Sequence, residues 1–252
     1  MTETAYQLYS SREFPPLEKT LTMLAELGYT RTEGYRGLFA DPEATKAALD
    51  VSGLTMPSAH VPLDDLINDR DGIIRIAEML GISSIYAPSL PAEERPADTA
   101  GWTAFGQKLE AVGETYRAAG FHFGWHNHAF EFQPTPDGSV PMRLILEAAP
   151  NIGWEADIAW IVRGGADSFE WIGEYGGRIT AVHIKDIAAE GECLDEDGWA
   201  DVGHGTLNWR RLFRALQGSP LTLRVMEHDK PNDDRRFARR SMETVKSICR
   251  SA

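Results

Sequence analysis

Eight short strand-like runs, near residues 5–9, 29–35, 54–61, 83–88, 121–128, 152–158, 179–185 and 221–227, are each followed by a segment compatible with a helix. Such alternation predicts parallel strands, because each helix returns the chain to start the next strand in the same direction, and eight such units close into a barrel. The segments 17–27, 64–80, 98–119 and 235–250 carry apolar residues at helical spacing. Three helix-like segments run into glycine, at Leu27-Gly28-Tyr29, Leu80-Gly81-Ile82 and Ala119-Gly120-Phe121. Glycine tolerates the left-handed conformation that stops a helix, so the next strand can begin at once. An open doubly wound sheet is the competing arrangement, but it usually carries a glycine-rich phosphate turn after an early strand. Tyr9-Ser10-Ser11-Arg12-Glu13-Phe14-Pro15-Pro16 is no such turn. The expected architecture is a single α/β domain over residues 1–252, a (β/α)8 TIM barrel, with the Pro/Gly-rich segments 88–96, 134–141 and 191–206 as loops at its C-terminal face.

Chemistry is concentrated at the ends of the later runs. Period-two alternation in Phe121-His122-Phe123-Gly124-Trp125-His126-Asn127-His128 puts His126 and His128 on one face, together with His122. Glu131 has the opposite parity and joins them only if the backbone turns after His128. In the next run Glu155 and Asp157 share a face, and burying two like charges is costly unless a cation or hydrogen-bond donors compensate. Asp157 is nearer the strand end and is the better metal ligand. Glu155 is either a substrate contact or an interior carboxylate paired with a lysine or arginine across the barrel. His183 and Lys185 share a face at the end of the seventh run, where a protonated Lys185 can hold an anionic or enolate oxygen, and Glu227 ends the eighth.

Carboxylates with one imidazole form an oxygen-rich set, which suits Mn²⁺, Mg²⁺ or Co²⁺ more than Zn²⁺. A divalent ion of this kind can bind adjacent carbonyl and hydroxyl oxygens of a sugar and acidify the intervening C–H.

Composition limits the partners. A net charge of -13, from 25 basic and 38 acidic residues, opposes a nucleic-acid partner. The Arg235-Arg236 and Arg239-Arg240 pairs read as the solvated face of the last helix. No apolar run approaches the roughly 20 residues that span a bilayer, so no membrane partner is expected. The opening Met1-Thr2-Glu3-Thr4 lacks a basic and then apolar leader, which predicts a cytoplasmic location. Cys193 and Cys249 are far apart and outside any C-x-x-C pair, the pattern of ordinary reduced thiols. A homo-oligomer is left open.

The stretch His126-Asn127-His128-Ala129-Phe130-Glu131-Phe132, Asp157 with Trp160 and Gly165, His183-Ile184-Lys185-Asp186, Val202-Gly203-His204-Gly205-Thr206-Leu207-Asn208-Trp209, and Glu227-His228-Asp229 together resemble the xylose isomerase-like TIM barrels, a family of sugar phosphate isomerases and epimerases. The resemblance covers nearly the whole chain and is more specific for the superfamily than for the reaction. It implies a divalent ion held by Asp157, His183, Glu227 and a first glutamate, with Glu227 also able to act as acid or base. Many relatives carry Glu-Asn where this chain has His126-Asn127, so the first ligand is either Glu131 or His126. Glu131 is the expected ligand, with His126 and His128 beside the substrate as base or hydroxyl contact. His60 resembles a pocket-facing family position, its alternative being a loop histidine, and Trp160 could stack on a sugar face or simply pack. His204 is expected to shape its loop. The implied activity is metal-dependent isomerisation or epimerisation of a small sugar or polyol. The histidines also make the chain similar to dehydratases and lyases acting on keto-sugars or keto-inositols. A non-catalytic sugar-binding barrel is a further alternative, and a repair nuclease is disfavoured by the acidic balance.

Overall fold

Each of the eight runs forms a strand in the computed structural model, which describes residues 3–250. The strands are β1 (Glu3–Gln7), β2 (Arg31–Tyr35), β3 (Thr55–His60), β4 (Ser84–Ala87), β5 (His122–His126), β6 (Gly153–Asp157), β7 (Ile179–Ile184) and, last in the barrel, β10 (Leu223–Met226). Between the last two lies a small antiparallel pair, β8 (Asp186–Ile187) and β9 (Trp199–Ala200). The eight long strands pair in parallel in the closed order β1-β10-β7-β6-β5-β4-β3-β2, a single α/β domain of TIM-barrel architecture. The four end residues of the expected 1–252 domain lie outside the described residues.

Alternation along the strands sorts the side chains into two environments. In β6, Trp154 and Ala156 join the large apolar core between strands and helices, while Glu155 and Asp157 alternate with them; in β7, Val182 and Ile184 do so around His183. A smaller apolar cluster of Ala5, Tyr86, Ala181, Leu223 and Val225 shares the inward parity of His183 and fills the barrel below the polar layer. Gly28, Gly81 and Gly120 all take positive φ, the helix-stopping conformation expected of them.

Two segments differ from expectation. The helix expected over 64–80 is split into Leu63–Asn68 and Arg70–Leu80, because Asp69 leaves helical geometry and at once precedes the second helix. Within the expected loop 191–206, β9 returns to pair with β8, and Asp186 anchors the excursion by accepting hydrogen bonds from the backbone N–H groups of Ile187, Gly203 and Leu207. The last helix, Asp234–Arg250, is not purely solvated on its arginine face: Arg236 and Arg240 both pair with the buried Asp201, and Arg240 also contacts His204. No helix among the described residues is long and apolar enough to cross a membrane. Cys193 and Cys249 are free thiols.

Candidate metal centre

Parallel pairing brings the ends of β5, β6, β7 and β10 side by side, with His126 opposite Glu155, Asp157 opposite His183 and His183 opposite Val225. One ligand atom from each of His126, Asp157, His183 and Glu227 lies within 4.8 Å of the others, and all four residues are buried. A second group, His60, His126, Glu155 and His183, meets the same criterion and lies against it, sharing two imidazoles.

The donor set fits a divalent cation. Asp157 uses Oδ1 to accept the Trp160 amide at 2.9 Å, capping the helix Ile158–Arg163, whereas its buried Oδ2 has no hydrogen-bond partner among the described residues. Lys185 Nζ stands 3.3 Å from that oxygen but donates instead to Asp229 at 2.8 Å and lies 2.9 Å from Glu227. A buried carboxylate oxygen that accepts no hydrogen bond, grouped with two imidazoles, fits a cation site.

Charge in this layer is strongly coupled. Burial alone would lower the pKa of His183, but the carboxylates of Glu155, Glu227 and Glu33 outweigh it and hold the ring well above the usual imidazole range. His126 is held well below that range by burial and then by the neighbouring His183. Burial raises Asp157 to about 6 against the pull of Lys185 and His183. His128 is depressed to about 3 by burial and by Lys185, so its imidazole is neutral near pH 7.

Glu131, expected as the first ligand, belongs to neither ligand group. The backbone does turn after His128, into the 3-10 turn Phe130–Phe132, but the Glu131 carboxylate points back, accepting from Trp125 Nε1 at 3.1 Å and from the His128 amide at 2.9 Å. His126 is the fourth member of the group with Asp157, His183 and Glu227. Glu155, expected to touch substrate or pair with a lysine or arginine, is fully buried against histidines: its Oε2 lies 2.5 Å from His60 Nε2 and 3.2 Å from His126 Nδ1. Trp160 packs on Trp199 and His128 and does not line the cavity described below. His122 lies at the opposite, exposed end of β5.

A family model of the xylose isomerase-like TIM barrel matches residues 21–248. The chain belongs to that family. Among solved structures, this xylose isomerase-like barrel is similar to a sugar phosphate isomerase/epimerase from Parabacteroides distasonis, at 21% identity over 98% of this chain and 94% of that one, with a TM-score of 0.80. It is also similar to the probable 3-DHS dehydratase AsbF from Bacillus anthracis, at 11% identity over 97% and 99% of the two chains, TM-score 0.77. A third similar structure is the IolI protein with a binding zinc atom, at 15% identity over 98% and 96%, TM-score 0.77. These likenesses establish the shared fold. A comparison with curated protein sequences finds no match.

The ligand cluster opens into a cavity of about 350 Å³ at the C-terminal end of the barrel, lined by His60, His126, His128, Glu227 and Asp229 and also by Tyr9 and Tyr35. His60 is therefore a cavity residue, at the end of β3, and not a loop histidine. Lys185 is fully buried behind Glu227 and Asp229. The sequence reasoning missed Glu33, which lies at the heart of the polar layer: its carboxylate accepts from Gln7 Nε2 at 2.9 Å and Ser58 Oγ at 2.5 Å, and lies 2.7 Å from His183 Nε2. The available signal was a carboxylate in the middle of a predicted strand.

Proposed function

We propose that this chain is a divalent-metal-dependent isomerase or epimerase of a small sugar or sugar derivative. The observation that carries the proposal is the coincidence of a four-residue ligand set with a cavity of polyol size, bordered by a neutral imidazole. A bound ion supplies Lewis acidity toward neighbouring carbonyl and hydroxyl oxygens of the substrate. His126, Asp157, His183 and Glu227 would hold it.

The protein groups divide the remaining work. His128 lines the cavity with a neutral ring, which we assign to contact with the substrate as base or hydroxyl partner. Glu227, also on the cavity wall, is the second group able to exchange a proton with the substrate. Lys185 stands 2.9 Å behind Glu227, where its fixed positive charge favours negative charge developing on the substrate. His60 contributes a contact for a substrate hydroxyl.

Dehydration of a keto-sugar or keto-inositol on the same site is the second reading, favoured by two histidines, His126 and His128, at the cavity and by likeness to a fold relative described as a probable dehydratase. Incubation of metal-loaded protein with a panel of free and phosphorylated keto-sugars and inososes in D₂O separates the readings. Deuterium uptake with the substrate skeleton intact supports isomerisation or epimerisation; loss of water supports the second reading. Binding without exchange, unaffected by chelation, contradicts both and leaves a sugar-binding barrel.

A further inference from the structure

Between the two cavity histidines sits Asn127, whose side chain is fully buried and turned away from the cavity. All three of its hydrogen bonds reach β6. Oδ1 accepts from the Asp157 amide at 3.0 Å and from Trp154 Nε1 at 2.8 Å, and Nδ2 donates to the Asp157 carbonyl at 3.1 Å. Four residues on, Glu131 closes the same turn from the other side, taking the His128 amide and the Trp125 indole into its two carboxylate oxygens.

We propose that Asn127 and Glu131 are positioning residues, forming a clamp that fixes the separation of the β5 and β6 ligands and the direction of His128. The alternation His-Asn-His thereby has a physical division: His126 and His128 face the chemistry, and the residue between them ties their strand to the next. Asn127 bonds both backbone polar groups of Asp157, so beyond the end of the β5–β6 ladder one amide ties the residue after His126 to Asp157. An aspartate in its place would keep the acceptor but set a carboxylate oxygen against the Asp157 carbonyl. A glutamine at 131 would turn an NH₂ toward one of two N–H donors. Each replacement is nearly isosteric, so the loss is of hydrogen bonding and not of volume.

The role assigned to Asn127 rests on the metal-site reading, and the test keeps the two separable. Metal-free wild type, Asn127→Ala, Asn127→Asp, Trp154→Phe and Glu131→Gln are titrated with Mn²⁺ and Zn²⁺ by calorimetry, and their amide exchange is followed without metal. Orienting partners of metal ligands typically change affinity by roughly 10–100-fold, and that weakening is expected for Asn127→Ala and, should it not fold, for Asn127→Asp. Trp154→Phe removes a hydrogen bond from the same Oδ1 while leaving both Asp157 bonds, and should bind as wild type. Glu131→Gln should retain metal affinity but speed exchange of the His128 amide or of the Trp125 indole N–H. Wild-type affinity in a folded Asn127 variant, equal losses in Asn127→Ala and Trp154→Phe, or unchanged exchange of both the His128 amide and the Trp125 indole N–H in Glu131→Gln overturns the clamp. If wild type binds neither ion, the metal reading fails, and the exchange of the Asp157 amide in the Asn127 variants and of the His128 amide and Trp125 indole in Glu131→Gln still decides the clamp: faster supports it, unchanged refutes it.

Discussion

Glu33 Oε1 lies 2.7 Å from Nε2 of His183, one of the four residues of the candidate metal cluster. A carboxylate only accepts, so the proton on that bond belongs to Nε2; Nδ1 lies 2.9 Å from Glu227 Oε2, within the ligand cluster, and is the nitrogen that would give up its proton to hold a metal ion. Gln7 and Ser58, from the strands on either side, hold Glu33 in turn. Glu33→Gln should weaken divalent-metal affinity roughly 10–100-fold, the usual effect of losing a partner that orients a ligand. Calorimetric titration of the folded variant checks it, and wild-type affinity would show that Glu33 does not orient the ring.

Direct ligands should behave differently from their supports. Asp157→Ala, His183→Ala, Glu227→Ala and His126→Ala should each lose stoichiometric metal while keeping a cooperative thermal transition, because each removes a donor and leaves the outer apolar core intact. Glu131→Ala should retain the ion. Metal quantification after gel filtration distinguishes the two classes, and loss of the ion from Glu131→Ala alone would restore that residue as the ligand.

Gly205 is required for space. A Cβ there would lie 2.4 Å from both Asp186 Oδ1 and the Ile187 carbonyl, within the hydrogen-bonded anchor of the β8–β9 excursion. Gly205→Ala should destabilise the protein by about 1–3 kcal/mol, the usual cost of overpacking. Urea denaturation measures this directly, and an unchanged midpoint would show that the loop yields without cost.

Burial pushes the Glu131 carboxyl from its ordinary value near 4.5 up to about 8, against the N–H groups of His128 and Trp125 that pull it down. The folded protein therefore holds this proton more tightly than the unfolded chain. Its contribution is fully present below pH 4.5 and declines as pH rises toward 8. In metal-free protein, the stability difference between wild type and Glu131→Gln should move against wild type across that window. A flat difference from pH 5 to 8 would place the Glu131 pKa at its ordinary value.

The barrel was legible because its signal is repeated: eight strand runs, three of their preceding helices stopped by glycines, and inward polar residues alternating with outward Trp154, Ile184 and their neighbours. The convergence of Asp157, His183 and Glu227 was legible for a related reason, since each ends a strand and adjacent ends of a closed barrel must meet. Glu131 was not, because local sequence does not say which way a carboxylate turns once the strand has ended, and two nearby N–H donors captured it. Glu33 and the true surroundings of Glu155 were hidden by register: which residues face each other across a barrel depends on its closure and stagger, not on spacing within one strand. The paired Trp199 strand escaped notice because two residues are too few to show a period.

Anomalous diffraction from crystals of the Mn²⁺-loaded protein tests the central claim most directly. One strong peak in contact with His126, Asp157, His183 and Glu227, absent after chelation, is the expected result. A peak held by Glu131, or no peak touching these four side chains, would contradict it.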